Sequence, residues 1–443
     1  MSPTRRQFIS WTAMAAGSTA LAACSLPGAT STSVPSPSST GQVTDAESLA
    51  SLALWTAQRG AAGGSYGIGG VLVESATGRV LQTMPNRVFQ TLTPADQQSP
   101  GQTFVQDPTA HGERQLMSWY FANRDARALP PADQLTVVTS VDPCLMCASS
   151  LLAAGVNVGV VALDDYSGVN YDGTGTFVDL PQPLRAEALA RFGYYAVDDG
   201  RGYQGSSRTA YADQSISQDT LNSCANLYTT SADNVRAARR DSGSDPSRLT
   251  DPATDPSAID VTRAFQVEYP EAFTLSIPDP RRPGRAIYDA LIDLVDRSPG
   301  ATNAVAFIDA FGNVVTARAD QTRVNPLSTA FALCSRTYAQ TRYALVDSIS
   351  TQAIAEQTLT NPNFGTFVFL TAPDPFTPAG MFDIGAYGST MGSAAVPLIP
   401  SAFQYFELPG GVTERELQDV IYPLPPLYSD GLKISPQRVA GVA

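Results

Sequence analysis

Three side chains that bind metal ions and one that transfers protons occur close together in this 443-residue sequence. The single histidine, His111, is followed two residues later by Glu113, and Cys144 and Cys147 lie about thirty residues further on. The Cys-x-x-Cys spacing lets both thiols point at one ion from the start of a helix, and zinc accepts this mixture of sulfur and nitrogen ligands. Because the motif holds no fourth ligand, the sequence predicts a zinc site with one position open for water.

Glu113 lies beside the predicted ion without being needed as a ligand, which is the place for a general acid and base. Zinc lowers the pKa of its bound water to about 7, so that hydroxide is available at neutral pH. We expect Glu113 to take a proton from this water, deliver it to a ring nitrogen and help to protonate the leaving ammonia. The alternative is a zinc that only holds the fold together, but such a site is normally closed by four protein ligands.

These motifs resemble those of the CMP/dCMP-type branch of the cytidine deaminase-like superfamily, with its His-x-Glu and Pro-Cys-x-x-Cys signature. The resemblance covers about residues 44–165 and implies a three-layer α/β/α fold and hydrolytic deamination by zinc-bound hydroxide. It also implies that Asn86, after the second strand of a predicted hairpin, binds the base, although a turn residue is the alternative. Two positions depart from the family's pattern: Gly112 replaces the usual Ala and Asp142 the usual Glu.

The segments around the motifs predict a domain over residues 44–197 with the order helix, hairpin, helix, strand, helix, strand. Thr44 and Glu47 have the spacing of a capping box at the start of the first helix. The other predicted elements are hairpin strands at 68–73 and 79–83, helices at 111–124 and 147–154, and strands at 135–139 and 158–163. This order is typical of a sheet between two layers of helices.

A second domain, residues 263–443, repeats this order after a polar stretch, 198–262, that is predicted to be a linker or excursion with little core. The two halves can be aligned on the turn glycines Gly78 and Gly312, and then on the prolines and the Asp-Pro pairs. This alignment places a different residue type at every site position: Asp320 at Asn86, Thr329 at His111, Phe331 at Glu113, Phe376 at Cys144 and Ala379 at Cys147. We therefore expect a degenerate deaminase-like copy without zinc ligands, in an intramolecular pseudo-dimer. Two unrelated α/β domains are the alternative.

The N-terminus predicts an export signal. Arg5 and Arg6 precede a short apolar run that ends at Cys24 in a lipobox-like sequence, so residues 1–23 are typical of a twin-arginine signal. A lipidated Cys24 and a Ser/Thr/Pro-rich tether, residues 24–43, would anchor the domain to the membrane outside the cytoplasm. The alternative is an ordinary cleavage site followed by a chance cysteine.

The charge of the chain limits its partners. Its formal net charge is −13, and such a surface repels phosphate backbones, so we expect a small base or nucleoside as substrate and no nucleic acid. The predicted function is zinc-dependent hydrolytic deamination; the alternative is an exported ligand-binding or scaffold lipoprotein that retains zinc without turnover. The two remaining cysteines, Cys224 and Cys334, either form a disulfide or stay free.

Overall fold

A computed structural model describes residues 41–93, 101–280, 282–391, 403–428 and 436–439.

The first sheet begins with the predicted hairpin. Strands β1 (Gly69–Glu74) and β2 (Val80–Pro85) pair antiparallel around a turn that contains Gly78. Gly78 has a φ of +70°, and a Cβ atom there would lie 2.1 Å from the carbonyl oxygen of Val43. The turn therefore requires glycine, and the last residues of the predicted tether are packed against the domain.

The hairpin extends into a mixed sheet with the strand order β2-β1-β5-β6-β7-β9. Strands β5, β6 and β7 are parallel to one another, and β1 pairs antiparallel with β5. The strands of this region beyond the hairpin are β3 (Phe89–Thr91), β4 (Thr103–Val105), β5 (Leu135–Val141), β6 (Asn157–Ala162), β7 (Phe192–Tyr194), β8 (Ala196–Val197), β9 (Gln204–Gly205) and β10 (Ser215–Ile216).

Helices cover both faces of this sheet. They are α1 (Ala46–Ala62), α2 (Gly112–Asn123), α3 (Leu145–Ala154), α4 (Gln182–Arg191) and α5 (Gln218–Ala238). Val71 and Val138 belong to the core formed with α1 and α5, whereas Leu72 and Val137 belong to the core formed with α2, α3 and α4. Successive strand residues point to opposite faces, and here both faces are apolar because both are buried. The predicted α/β fold with a sheet between helices is confirmed.

The start of α1 differs from the prediction. Its N-cap is Asp45, whose carboxylate accepts a hydrogen bond from the backbone N–H of Ser48 at 2.7 Å. The capping box predicted from Thr44 and Glu47 is therefore wrong. The Glu47 carboxylate instead accepts hydrogen bonds from the backbone N–H and the hydroxyl of Ser217, the N-cap of α5. A carboxylate there satisfies unpaired N–H groups and the positive end of the helix.

The stretch 198–262 is folded and is not simply a linker. It contains α5, which packs on α1 and on the strands β5 and β6. The buried side chains of α5 are few and mostly small: Thr220, Cys224, Ser231 and Val235. The helix was not predicted because its buried face contains few of the large apolar side chains that mark a helix in a sequence. The domain boundaries at 197 and 263 stay predictions.

The second half contains a sheet with the order β12-β11-β13-β14-β15. Its elements are helices α6 (Ile259–Glu268), α7 (Arg285–Arg297), α8 (Ala330–Asp347), α9 (Gln352–Thr358), α10 (Pro378–Met391) and α11 (Glu414–Ile421), and strands β11 (Ala304–Ile308), β12 (Val314–Ala319), β13 (Thr366–Thr371), β14 (Phe403–Glu407) and β15 (Pro436–Arg438). The run β12-β11-β13-β14 matches β2-β1-β5-β6 in order and strand direction. The matching topology is what an internal duplication requires, and the duplication itself stays a prediction.

Cys224 and Cys334 are both free and buried, so the structure contains no disulfide between them. They lie in separate cores: Cys224 packs with α1, whereas Cys334 lies on α8. The predicted signal and Cys24 lie outside the described residues. Among the residues that are described, no helix combines the length and the apolar character that a membrane crossing needs.

We predict that Asp383 makes stability depend on pH. Burial raises the pKa of this carboxyl to about 7, with a further contribution from the charge of Asp320. A carboxyl whose pKa is higher in the folded than in the unfolded state stabilises the fold at low pH. This contribution is lost as the pH rises through the pKa of the folded state, here about 7. Asp383→Asn keeps an acceptor for the Thr329 hydroxyl and should be more stable than the wild type at pH 8.5 by about 1–3 kcal/mol.

Urea unfolding at pH 5 and pH 8.5 measures this difference. Asp296→Asn, on the exposed face of α7, is the control, and its effect should stay within about 0.5 kcal/mol at both pH values. An Asp383→Asn variant that gains no stability at pH 8.5 would contradict the prediction.

Candidate metal centre

The ligand atoms of His111, Cys144 and Cys147 all lie within 4.8 Å of one another. The distance from His111 Nδ1 to Cys144 Sγ is 3.6 Å. Among the residues that the structure describes, this is the one group of three or more potential metal ligands whose ligand atoms lie this close together. Two sulfur atoms and one imidazole nitrogen with no fourth protein ligand are the donor set of a zinc site with an open position, so the residues fit the predicted metal.

Two helix N-termini bring the ligands together. His111 is the N-cap residue of α2 and Cys144 is the N-cap residue of α3, and neither side chain makes a capping hydrogen bond. Both side chains are therefore free to face the ion. The hydrogen bond from Cys147, followed by the charge of His111, holds the pKa of the Cys144 thiol well below its usual range, whereas burial raises that of Cys147. One thiolate is thus already favoured next to the imidazole.

Glu113 lies in the first turn of α2 and is 2% exposed. Its Oε1 atom accepts a hydrogen bond from Thr139 Oγ1 at 2.8 Å, and its Oε2 atom lies 3.4 Å from Cys147 Sγ. Burial, and then the charge of Cys144, raises the pKa of this carboxyl. The structure therefore brings the Glu113 carboxyl into contact with one of the three ligands.

Asn86 directly follows β2 and is 1% exposed. Its Oδ1 atom accepts hydrogen bonds from Ser65 Oγ at 2.6 Å and from the backbone N–H of Val88 at 3.0 Å. Its Nδ2 atom is buried and has no hydrogen-bond partner among the described residues. The neighbouring Arg87 donates its backbone N–H to the carbonyl of Ala110, so this loop lies beside the histidine. Asn86 thus has a free donor in a loop that is hydrogen-bonded to the residue before His111.

Both residues that depart from the pattern of the resembled family make close contacts in the structure. A Cβ atom on Gly112 would lie 2.5 Å from the carbonyl oxygen of Met84, so α2 approaches β2 through this glycine. The Asp142 carboxylate accepts hydrogen bonds from Tyr194 Oη at 2.7 Å and from the backbone N–H of Asn170 at 2.9 Å. Asp142 therefore connects the Cys144 turn to the loop that follows β6.

Several residues around the centre were not predicted, and some of them come from the second half of the chain. Asp107, which precedes the histidine in a buried turn, accepts ion pairs from Arg114 at 3.4 Å and from Arg336 of the second half at 3.5 Å. On the other side of the centre, α10 packs along α3, and a Cβ atom on Gly385 would lie 2.3 Å from the backbone nitrogen of Met146. Only the tertiary fold brings these groups to the site.

Residues 43–163 match the model of the cytidine and deoxycytidylate deaminase zinc-binding region. This segment contains the hairpin, the three ligands and Glu113, and it is a zinc-binding region of the CMP/dCMP deaminase type. A comparison with curated proteins found no match.

Solved structures similar to the chain include a guanine deaminase from Nitrosomonas europaea, with 18% identity over 44% of this chain and 88% of that one and a TM-score of 0.28. A protein in complex with 2,6-diaminopurine has 17% identity over 43% of this chain and 82% of that one, with a TM-score of 0.28. A tRNA:A34 deaminase that acts at the wobble position has 23% identity over 29% of this chain and 86% of that one, with a TM-score of 0.22. The assignment of the zinc-binding region rests on the family match and the ligand geometry.

We predict that Gly112→Ala destabilises this chain, although alanine is the usual residue in the family. The added Cβ must push α2 away from Met84, and overpacking of this kind typically costs about 1–3 kcal/mol, which exceeds the gain of about 1 kcal/mol in helix propensity. Urea unfolding and zinc content measure the effect. The control, Gly202→Ala, adds a methyl group in open space and should change neither the free energy of unfolding nor the zinc content. A Gly112→Ala variant as stable as the wild type would contradict the prediction, because it would show that α2 shifts without cost.

Proposed function

We propose that the protein is a zinc-dependent hydrolase that removes an amino group from a small nucleobase, nucleoside or related heterocycle. The observation that carries this proposal is the buried Glu113 carboxylate, 3.4 Å from Cys147 Sγ and outside the set of three ligands. When bound, zinc supplies Lewis acidity and lowers the pKa of water to about 7. A zinc that only stabilised the fold would need no proton-transferring side chain beside an open position.

Thr139 holds Glu113 for proton transfer. The threonine hydroxyl donates to Oε1, which leaves Oε2 on the side of the ligands as the atom that carries protons. In the proposed hydrolysis a C–O bond to water forms, and Oε2 accepts one proton from the water and delivers it to the adjacent ring nitrogen. Oε2 then takes the second proton from the new hydroxyl to the amino group, the C–N bond breaks, and ammonia leaves.

Asn86 is the residue that we assign to binding the heterocycle. Its Oδ1 atom already accepts two hydrogen bonds, so the orientation of the amide is set, and the unpartnered Nδ2 can donate to a ring nitrogen or carbonyl oxygen. A buried donor without a partner is costly, and a substrate acceptor would satisfy it. The net charge of −13 favours a small base or nucleoside over a polynucleotide.

We also propose that the second half takes the place of a partner subunit. Helix α10, which follows β13 as α3 follows β5, packs directly on α3, so equivalent helices of the two halves meet. Contacts between equivalent elements are typical of an interface with two-fold symmetry. In this intramolecular pseudo-dimer the second half supports the metal centre and binds no zinc at the positions aligned with the ligands.

We predict that Glu113→Gln slows turnover by about 10²–10⁴-fold and leaves zinc binding intact. Glutamine preserves the size and the hydrogen bond from Thr139 but cannot accept a proton, and loss of a general acid and base typically costs about 10²–10⁴-fold in rate. Ammonia release from cytosine, guanine, adenine, their nucleosides and dCMP is the measurement. Glu187→Gln, exposed on α4, is the matched control and should keep full activity.

Two outcomes would reject the proposed activity. A purified protein without bound zinc would refute the metal centre itself. Zinc without ammonia release from any of these compounds, together with no effect of Glu113→Gln, would favour the exported binding or scaffold lipoprotein.

We propose that the protein is exported folded through a twin-arginine route and is then anchored by lipidation of Cys24. Transport in the folded state allows zinc to be loaded before export. Replacing Arg5 and Arg6 by lysine should retain the protein in the cytoplasm, and Cys24→Ser should release it from the membrane fraction; fractionation and immunoblotting measure both. Full export of the double-lysine variant would argue against this route.

A further inference from the structure

Helix α5 contacts two loops that are far apart in the sequence, and it lies outside the segment that matches the family model. Ser231 Oγ accepts the backbone N–H of Gly67 at 2.6 Å, in the loop between α1 and β1. The hydroxyl of Tyr228 donates to Asp164 Oδ2 at 3.4 Å, in the loop after β6. Ser231 also donates to the carbonyl of Tyr228 at 2.8 Å, so a single turn of α5 makes both contacts.

The first of these loops holds Asn86. Ser65, two residues before Gly67, donates its hydroxyl to Asn86 Oδ1 at 2.6 Å. A Cβ atom on Gly67 would lie 2.7 Å from Leu227 Cγ, so α5 packs directly on the backbone of this loop. Gly67 and Ser231 are both buried. A buried N–H that loses its acceptor is costly, so Ser231 stabilises the position of the loop.

The second loop runs beside the turn that contains Cys144. Gly168 pairs with Cys144 in an isolated antiparallel bridge, and the backbone N–H of Val169 donates to the carbonyl of Pro143 at 3.0 Å. The Asp164 carboxylate shapes this loop by accepting two of its backbone N–H groups, at 2.9 and 3.1 Å. Tyr228 therefore contacts a loop whose position is linked to that of a metal ligand.

These contacts connect Asn86 to the metal centre by a second route. The short route runs from Arg87, next to Asn86, through its hydrogen bond to Ala110 and on to His111, which lies 3.6 Å from Cys144. The second route runs from Asn86 through the loop between α1 and β1, one turn of α5 and the loop after β6 to Cys144. Because α5 packs on α1 and on the sheet, its turn fixes the separation of the two loops.

We propose that residues 228–231 of α5, the α5 clamp, hold the Asn86 side of the substrate site at a fixed distance from the loop beside Cys144. Ser231 and Tyr228 are then positioning residues for the heterocycle, and this inference rests on the proposed function in the role of Asn86. Without the clamp, only a fraction of the molecules has the two loops at the binding distance. The apparent affinity for the heterocycle falls by that fraction.

Ser231→Ala and Tyr228→Phe in the full chain each remove one end of the clamp. We expect either variant to raise KM about 3- to 10-fold, as for the loss of one hydrogen bond, with the base or nucleoside that the wild type deaminates. The turnover number kcat should not change, since such a pattern reports lost binding and Glu113 and the metal ligands are untouched. Zinc affinity, measured by competition with a chromophoric chelator, should also keep its wild-type value.

The double variant separates a clamp from two unrelated contacts. A clamp released at one end no longer fixes the distance, so the KM of Ser231→Ala/Tyr228→Phe should be no higher than that of the more affected single variant. Two independent contacts would multiply their effects. Multiplied effects, or a wild-type KM in either single variant, would overturn the proposal.

Matched controls carry the same substitutions at exposed positions. Ser223→Ala on α5 and Tyr422→Phe in the second half should keep the wild-type KM. Ser231→Thr retains a hydroxyl that can accept from Gly67 and bond back to the helix, and it should restore the wild-type KM. A threonine variant as impaired as the alanine variant would refute the role of the hydroxyl.

Amide hydrogen exchange tests the clamp without a substrate. Ser231→Ala should speed exchange in residues 63–68 and 86–89, and Tyr228→Phe should speed it in residues 164–170. Unchanged exchange in these loops would overturn the clamp whatever the activity.

The two hypotheses therefore fail separately. A wild-type protein that deaminates a base, with variants that keep its KM, refutes the clamp alone. A wild-type protein that releases no ammonia from any of the compounds refutes the proposed function, and the exchange pattern then decides whether α5 holds both loops.

Discussion

Convergence of two helix N-termini at one point is the constraint on which the rest of this structure depends. His111 and Cys144 are N-cap residues of α2 and α3, so their side chains meet only if both helices start at the same edge of the sheet. Their positions follow from the strands that precede them and from the close approach of α2 to β2 at Gly112. The helix ends also favour anionic ligands, which suits thiolates.

In the proposed alignment of the two halves, the second half has no zinc-binding side chain at the positions of the three ligands, and the order of its first four strands matches that of the first half. Where the first half has His111 and Glu113, it has Thr329 and Phe331, and Phe331 stacks on Phe369 in an aromatic core. The second half contacts both ligand-bearing elements, through Arg336 on the turn before His111 and through α10 on α3.

Local sequence patterns predicted most of the elements around the centre, because each depends on neighbours in the chain. Predicting the hairpin required only its apolar residues and a turn glycine, and predicting the helix after His111 required only the local sequence. Helix α5 was missed because its buried stripe is narrow and its contacts with α1 are distant in sequence. The capping box predicted for α1 was wrong because Glu47 has a tertiary partner, Ser217, that local spacing cannot reveal.

The sequence by itself determined the metal-binding group, because a lone histidine and a Cys-x-x-Cys pair are a specific donor set for zinc wherever the chain folds. The tertiary structure decided which groups surround them. The orientation of Asn86, the ion pair of Asp107 with Arg336 and the hydrogen bond of Gly67 to Ser231 all depend on contacts between segments far apart in the chain. Such contacts are set by the packing of whole helices and sheets, and packing is a property of the assembled core that no short motif encodes.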